Sequence, residues 1–253
     1  MHKEDRHRKI LELLSKQGPV SILELANKLN ASMMTIRRDL DILEKNGLVR
    51  KMHGSAVLVT NENSQPTYLE RVSEYRDEKN RIGKAAADLI KAGSIVLFDA
   101  GTTPLAIIQY IPADRNFTAI TTGLMTAVAL CGKTAANVIC IGGNVHPSSV
   151  STINYFAIDM LNNFHADIAF ISTKSVSLPD GLFETQLPLI EIKKKMVAVS
   201  DKVILLADHR KFNSKALCLS IPLQDIDMII SDVMIPESAI EQLKNLKKEF
   251  ILV

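Results

Sequence analysis

Two consecutive arginines, Arg37 and Arg38, lie in a stretch whose other residue types also suit contact with nucleic acid. A buried helical stripe is predicted there by four apolar residues at helical spacing, namely Met33, Ile36, Leu40 and Leu43. The opposite side of that helix would carry Ser32, Met34, Thr35, Arg37 and Arg38. Guanidinium groups can reach phosphates and base edges, so a helix of this kind suits the major groove of double-stranded DNA.

The elements around this helix predict a winged helix-turn-helix. An amphipathic helix from Arg6 to Ser15 ends at Gly18-Pro19, and Ser21 followed by Glu24 is a capping box that opens a second helix. Ser32 caps the third helix, and Asn46-Gly47 ends it. Short strands around residues 48–50 and 56–59 then form a hairpin, the wing.

The wing adds cations to the predicted DNA interface. Arg50, Lys51 and His53 lie beside Gly54, where the backbone can approach a duplex, and we expect them to contact the sugar-phosphate backbone or the minor groove. Ser21, at the start of the second helix, is also assigned to the interface.

The charge balance restricts nucleic acid to the N-terminal segment. Residues 1–58 carry 11 Lys and Arg against 7 Asp and Glu, whereas residues 59–253 carry 19 against 21. A chain of 253 residues, 47% of them hydrophobic, can bury a sizeable core and form one or two domains.

Membrane, metal and disulfide chemistry are not expected from this composition. No apolar run approaches the roughly 20 residues of a membrane span, and the N-terminus lacks the apolar centre of a signal peptide, which predicts a cytoplasmic protein. The six histidines show no metal-ligand spacing. Three widely spaced cysteines, Cys131, Cys140 and Cys218, stand in apolar surroundings and are expected to be reduced core residues.

The rest of the chain alternates short apolar runs with amphipathic stretches. Near-continuous apolar runs, typical of strands buried on both faces of a parallel sheet, occur at residues 94–98, 117–120, 137–141, 167–171, 202–206 and 227–230. The fold class is therefore α/β, an N-terminal winged helix-turn-helix followed by an open, mostly parallel α/β domain. We assign residues 1–58 to DNA binding, 59–76 to a linker and 77–253 to the α/β domain.

Small and polar residues follow the predicted strands, where ligands bind in open parallel sheets. The loops contain Asp99, Gly101, Thr102, Thr103, Thr121, Thr122, Gly142, Gly143, Lys174, Asp208 and Lys211. A Gly-Thr-Thr turn from strand to helix offers N–H groups and hydroxyls to a phosphate. Asp99 and Asp208 could accept hydrogen bonds from sugar hydroxyls, and Lys174 and Lys211 could neutralise an anion.

Plainer interpretations of the same residues stand beside these. The Gly-Thr-Thr turn could only cap a helix, and Gly142-Gly143 could only be a turn. The run Lys193-Lys194-Lys195 is most simply the solvated face of a helix, and Asp225 and Asp227 are capping or solvated residues.

The chain resembles the DeoR family of bacterial transcriptional regulators along essentially its whole length. Its N-terminal signature is matched by Glu24-Leu25-Ala26, Ser32, Thr35 through Leu40, Leu43, Gly47, Arg50 and His53-Gly54. The sensor signature is similar at Glu78-Lys79, Ile82, Asp99, Gly101 through Thr103, Thr121, Gly142-Gly143, Gly181, Glu191, Lys193, Ala207 through His209 and Lys211-Phe212. The resemblance implies a sensor domain related to ribose-5-phosphate isomerase, a phosphorylated sugar as effector, and repression of nearby carbohydrate-catabolic genes.

This sequence departs from the family pattern in the sensor. It has Thr121-Thr122 where the family usually has Thr-Asn, and His146 and Asn154 where an Arg and a later Gly are common. Where many members carry Gly-Ala-Asp-Gly it reads Ser-Thr-Lys-Ser around Lys174, which reverses a charge and leaves the identity of the sugar open.

Three functions compete for this sequence. The leading one is a ligand-responsive DNA-binding repressor without cofactor or catalytic activity, acting as a homo-oligomer because one winged helix reads too few base pairs. A sugar-phosphate isomerase would need a general base, for which Glu191 is the candidate. In the third, the α/β domain only oligomerises.

Overall fold

The N-terminal elements begin and end at the residues that cap and break them. The computed structural model describes residues 3–17, 19–52, 54–58 and 67–253. His53, expected on the wing, lies outside them. The N-terminal elements are α1 (Lys3–Gln17), β1 (Val20–Ser21), α2 (Ile22–Lys28), α3 (Met33–Lys45), β2 (Val49–Met52) and β3 (Ser55–Leu58).

These elements form a helix-turn-helix followed by an antiparallel wing. Strands pair in the order β1-β3-β2, with Val20 opposite Ala56 and Val49 opposite Leu58. Ile36, Leu40 and Leu43 face the core as predicted. Met33 does not: its position in the first turn of α3 leaves it 47% exposed, so the predicted stripe was wrong at this residue.

The chain divides into two compact units, residues 1–65 and 66–253. The expected linker, residues 59–76, is too long at its C-terminal end. A helix, α4 (Tyr68–Ser73), begins there behind a capping box between Thr67 and Glu70. The second unit therefore starts before residue 77.

The second unit alternates strands and helices along most of its length. After α4 follow α5 (Arg76–Ala87), β4 (Ile95–Phe98), α6 (Thr102–Ile107), β5 (Thr118–Thr121), α7 (Leu124–Lys133), β6 (Asn137–Cys140), β7 (Asn144–His146), β8 (Ser151–Ile153), α8 (Tyr155–Leu161), β9 (Ala166–Ile171), β10 (Ser175–Ser177), β11 (Gly181–Glu184), α9 (Leu187–Ala198), β12 (Ser200–Leu206), β13 (Cys218–Pro222), β14 (Met228–Ser231), α10 (Glu237–Asn245) and β15 (Glu249–Leu252). Single 3-10 turns occur at Ile108–Tyr110, His209–Lys211 and Leu223–Asp225.

Seven strands form one parallel sheet in the order β15-β14-β12-β9-β4-β5-β6. All six strands predicted from apolar runs are in it, which confirms the open parallel α/β class. From β4 the chain first builds the sheet outward through β5 and β6, and then returns to place β9 on the other side of β4. The order reverses between β4 and β9, and a crevice at the carboxyl ends is expected at this switch point.

Both faces of the sheet are buried, which explains the near-continuous apolar runs. In β4, Val96 and Phe98 enter one core cluster and Leu97 enters the other, and all three are fully buried. A strand with solvent on one face would instead alternate apolar and polar residues.

Two small antiparallel sheets were not predicted. Strands β10, β11 and β13 form one, and β7 pairs with β8 in the other.

Within the described ranges no helix is long and apolar enough to cross a membrane.

The cysteines differ from their predicted environment. Cys131 and Cys140 are exposed and Cys218 is half-buried, and all three are free thiols. The prediction of core cysteines was therefore wrong. Cys140 is the last residue of β6, which is an edge strand with one open side.

Among the described residues no group of three His, Cys, Asp or Glu is arranged to hold a metal ion.

Candidate functional site

Helix α3 presents its two arginines to solvent. Arg37 and Arg38 are exposed and make no hydrogen bond or ion pair within the described residues. Met34, beside them, is 58% exposed. The helix therefore offers cations that no internal partner occupies.

The hydroxyls assigned to DNA also cap the helices that carry the interface. The Ser32 hydroxyl accepts the N–H of Thr35 at 3.1 Å and pairs with the Thr35 hydroxyl at 2.8 Å. The Ser21 hydroxyl accepts the N–H of Glu24 at 3.1 Å. These side chains fix where α3 and α2 begin.

A buried carboxylate attaches α3 to α1, and sequence reasoning missed it. Asp39, only 3% exposed, accepts hydrogen bonds from Arg6 Nη2 at 3.1 Å and from His7 Nε2 at 3.0 Å, and a shorter one from Arg6 Nε. Burial raises the pKa of Asp39, but the hydrogen bonds from Arg6 and His7 outweigh it and hold this pKa below its usual value. Its place directly after two exposed arginines concealed this anchoring role.

On the wing, the two described cations differ in their partners. Arg50 is exposed without a partner among the described residues. The ammonium of Lys51 pairs with Asp41 and, at 3.1 Å, with Glu44 of α3. Lys51 thus fixes the wing against the recognition helix, and part of its charge is already neutralised.

In the second unit a cavity of about 340 Å³ opens at the carboxyl ends of β4, β9 and β12, at the switch point of the sheet. It is lined by Gly101, Thr102, Thr103, Ser172, Thr173, Lys174, Arg210 and Lys211 from the strand-end loops, and by Arg71, Glu74 and Lys79. Five cationic side chains thus face one carboxylate. Such an excess of positive charge favours an anionic ligand.

Gly101 allows two of these loops to meet. A Cβ atom at this position would lie 2.0 Å from the Ser172 hydroxyl oxygen. Any side chain there would push the loop after β4 away from the loop after β9. The glycine of the Gly-Thr-Thr turn is therefore required for the shape of the cavity floor.

Beneath that floor is a buried ionic network centred on Lys193. Its ammonium lies 2.7 Å from Glu184 and 3.3 Å from Asp99, and donates to the carbonyl of Ser172 at 2.5 Å. Burial lowers the pKa of Lys193, but Asp99 and Glu184 more than compensate and raise it above its usual value. The interpretation of Lys193 as part of a solvated face was wrong.

Asp99 belongs to this network rather than to the cavity lining. One carboxylate oxygen accepts the backbone N–H of Ser172 at 2.9 Å, and the other accepts the N–H of Ala100 at 2.9 Å. Its acceptor positions are thus used to tie β4 to the loop after β9, and Asp99 positions that loop.

Asp208 likewise does not line the cavity itself but binds Arg210, which does. It is fully buried and accepts Arg210 Nε at 2.9 Å and Nη2 at 3.1 Å. Although burial opposes ionisation, the Arg210 hydrogen bonds and the nearby Lys211 charge lower the pKa of Asp208. Asp208 thereby fixes the position of Arg210, whose side chain lines the cavity.

The positive charges around the cavity disfavour one another. Burial lowers the pKa of Lys79 to about 8. The positive charges of Arg210 and Lys211 contribute to the lowering of this pKa, while the negative charge of Asp208 opposes it. Burial also lowers the pKa of Lys211, with Lys174 and Arg210 contributing. A bound anion would relieve this repulsion and hold both ammonium groups in their charged form.

Besides Asp99 and Asp208, four further residues assigned to the ligand do not line this cavity. Thr121 and Thr122 are buried, and the Thr121 hydroxyl donates to the Phe98 carbonyl at 2.8 Å. Gly142 and Gly143 are exposed. They follow β5 and β6, on the other side of the switch point, so the five strand-end loops do not converge on one site.

Six lining residues were not assigned to the site. Ser172, Thr173 and Arg210 stand in strand-end loops beside assigned residues, whereas the other three precede the sheet in sequence. Arg71 and Glu74 come from α4 and its C-terminal end, and Lys79 comes from α5. The capping box at Thr67 could have predicted a helix there. Nothing in the local pattern indicates which cavity that helix would border.

Glu191, the base that an isomerase would need, lies elsewhere. Its side chain is 61% exposed on α9 and pairs with Lys194 at 3.3 Å. It is absent from the lining of the cavity.

Comparison with protein families matches both units. The DeoR-like helix-turn-helix domain matches residues 6–62, and the DeoR C-terminal sensor domain matches residues 74–233.

Curated relatives extend over nearly the full chain. A regulator named GolR from Listeria innocua is 32% identical over 90% of both chains. An uncharacterized HTH-type regulator from Haemophilus influenzae is 35% identical over 98% of this chain and 97% of its own. The glycerol-3-phosphate regulon repressor of Escherichia coli is 29% identical over 96% of each chain.

Solved structures show more distant similarity. Ribose 5-phosphate isomerase A from Methanocaldococcus jannaschii aligns over 54% of each chain at 16% identity, with a TM-score of 0.38. The sorbitol operon regulator SorC of Klebsiella pneumoniae covers 83% of this chain and 90% of its own at 12% identity, with a TM-score of 0.40.

Proposed function

Because the chain belongs to the DeoR family of HTH-type transcriptional regulators, we propose that it is a repressor of a carbohydrate-catabolic operon, released from its operator by a phosphorylated sugar. The observation that carries the sensor half is the cavity with five cations and one carboxylate at the switch point. A phosphate group has two charges and several acceptor oxygens, which suits this lining. The repressor names of the relatives from Escherichia coli support the sign of regulation.

In the DNA-binding half, α3 enters the major groove and the wing follows the backbone. Arg37 and Arg38 supply phosphate and base-edge contacts, with Met34 beside them, and the hydroxyls at the helix starts lie near phosphates. Arg50 supplies a wing contact and Lys51 a weaker one, since two carboxylates already hold it. One such unit reads few base pairs, so a homo-oligomer binds two half-sites.

In the sensor half, the phosphate sits among Thr102, Thr103, Lys174 and Lys211. The cavity senses its ligand and does not convert it. The surface position of Glu191 supports this, as do the relatives, which are named as regulators. Residues 1–58 bind DNA, and the second unit binds the effector.

Thermal unfolding with a panel of sugar phosphates tests the sensor half. The panel is glucose 6-phosphate, fructose 6-phosphate, ribose 5-phosphate and glycerol 3-phosphate, with the unphosphorylated compounds as controls. A ligand at 100 times its Kd raises the midpoint of the sensor by roughly 5–10 °C, because it binds only the folded state. Lys211→Met is expected to remove the shift.

Lys215→Met is the matched control, because Lys215 is 60% exposed and pairs with Asp180 at 2.8 Å, outside the cavity. If no phosphorylated compound shifts the midpoint, or if both variants respond alike, the cavity is not the effector site. An α/β domain that only oligomerises would give the first result.

Release from DNA tests the whole proposal. Fluorescence anisotropy with DNA from upstream of the protein's own gene gives the affinity with and without the effector identified above. We expect the effector to weaken binding. Tighter binding with effector would make the protein an activator or a co-repressed regulator instead.

A further inference from the structure

Helix α4 follows the N-terminal unit closely in sequence and also contributes to the lining of the cationic cavity. Its first residue, Tyr68, comes three positions after Gln65, where the N-terminal unit ends. Arg71 and Glu74, from the helix and its C-terminal end, line the cavity. A short segment therefore leads from the end of the first unit directly to a wall of the candidate anion site.

Two buried polar atoms of α4 have no hydrogen-bond partner within the described ranges, the Tyr68 hydroxyl and the Nε–H of Arg71. The Arg71 guanidinium uses Nη2 to donate to the carbonyl of Ser148, while Nε has no acceptor. Buried donors in folded proteins have partners, and an exception indicates a site for water or an ion. Because Arg71 lines the cavity, an anion there would supply the missing acceptor.

The remaining contacts of this segment involve other cations of the same cavity. The Lys79 ammonium donates to the carbonyl oxygens of Arg71 and, at 2.7 Å, of Glu74. The Arg210 guanidinium lies 3.9 Å from the Glu74 carboxylate and 3.1 Å from the centre of the Tyr75 ring. Lys79 and Arg210 therefore connect α4 and its C-terminal end to the same cavity that Arg71 lines.

We infer that Arg71 binds the effector anion through its Nε–H, and that occupancy of the cavity orders α4, the segment leading to the DNA-binding unit. This inference rests on the proposed anion site and adds the route by which its occupancy reaches DNA binding. An effector acts only through unequal affinity for two states of the protein, and an ordered and a less ordered α4 are two such states.

Hydrogen exchange of the full-length protein with and without inorganic phosphate tests the route. We expect phosphate to slow amide exchange in residues 67–75 together with the cavity loops at 101–103, 172–174 and 209–211. Helix α10 is the internal control and stays unchanged. Protection of the loops without residues 67–75 would overturn this inference and leave the proposed site standing. Protection in none of these segments would overturn both.

A conservative substitution tests Arg71 itself. Arg71→Lys keeps the charge and removes the Nε donor, so phosphate affinity, measured by calorimetry, should fall roughly tenfold, and protection of residues 67–75 should decrease. The matched control is Arg76→Lys, because Arg76 is exposed at the start of α5 and outside this cavity. Equal phosphate affinity and equal protection in wild type and Arg71→Lys would refute the assignment. If Arg71→Lys does not fold, the wild-type exchange pattern decides.

Discussion

Replacing Lys193 by methionine tests whether the cavity rests on a buried ionic network. The substitution keeps most of the side-chain volume and removes the ammonium that Asp99 and Glu184 share. Both carboxylates have side chains no more than 8% exposed, so their charges cannot be resolvated. Removing one partner of a buried ion pair lowers the free energy of unfolding by about 3–5 kcal/mol, because the other charge is left without compensation.

Adjacent Lys194 provides the control, because it is 55% exposed and pairs with Glu191 on the helix surface. Lys194→Met is expected to change stability by less than about 0.5 kcal/mol. For a domain of this size, 3–5 kcal/mol corresponds to a melting-temperature decrease of roughly 6–20 °C for Lys193→Met. Urea unfolding gives the free energies directly.

A double-mutant cycle identifies the cause of the destabilisation. Glu184→Gln removes one of the two negative charges, so the double variant should lose less stability than the two single variants together. Additive losses, or a cost for Lys193→Met within 1 kcal/mol of the cost for Lys194→Met, would refute the argument that this ion network holds the floor.

Three further outcomes are expected. Arg37→Ala should weaken operator binding and, if the side chain contacts phosphate, lower the salt slope by about one, whereas Lys45→Ala at the end of the same helix should not; equal effects would contradict the placement of α3. Thr102→Val should weaken sugar-phosphate binding roughly tenfold or more in calorimetry, because a hydroxyl donor to a charged group is lost; an unchanged Kd would remove Thr102 from the site. Sugar-phosphate affinity should fall as pH rises through about 8, since Lys79 then loses its proton; a flat profile between pH 7.5 and 9.5 would show that this ammonium does not contribute.

The sequence predicted the elements well where one local pattern decides them. Apolar runs located the parallel strands because burial on both faces leaves few polar positions. Caps located α2 and α3 because a hydroxyl at the helix start has a local partner. The exposure of Arg37 and Arg38 followed from helical periodicity alone.

The site was predicted less completely because its geometry depends on which loops meet. The sequence shows several strand-end loops but not the strand order, so Thr121 and Gly142 were grouped with Lys174 although the switch point separates them. The buried pairing of Lys193 depends on Asp99, directly after β4, which is far away in sequence, and on Glu184 in β11. The position of Arg71 in the cavity lining depends on where α4 packs, which no residue of α4 specifies by itself.

If the effector binds in this cavity as proposed, the five cations there also determine which other anions it must compete with. Their attraction depends on charge and therefore extends to inorganic phosphate and other small anions of the cell. Selectivity for one sugar must then come from the few uncharged groups, such as Thr103 and Ser172, that border the same space. Under the proposed function, the concentration of effector needed for a response would thus rise with the concentration of competing anions, and the operator would report the ratio of sugar phosphate to this background rather than its absolute level.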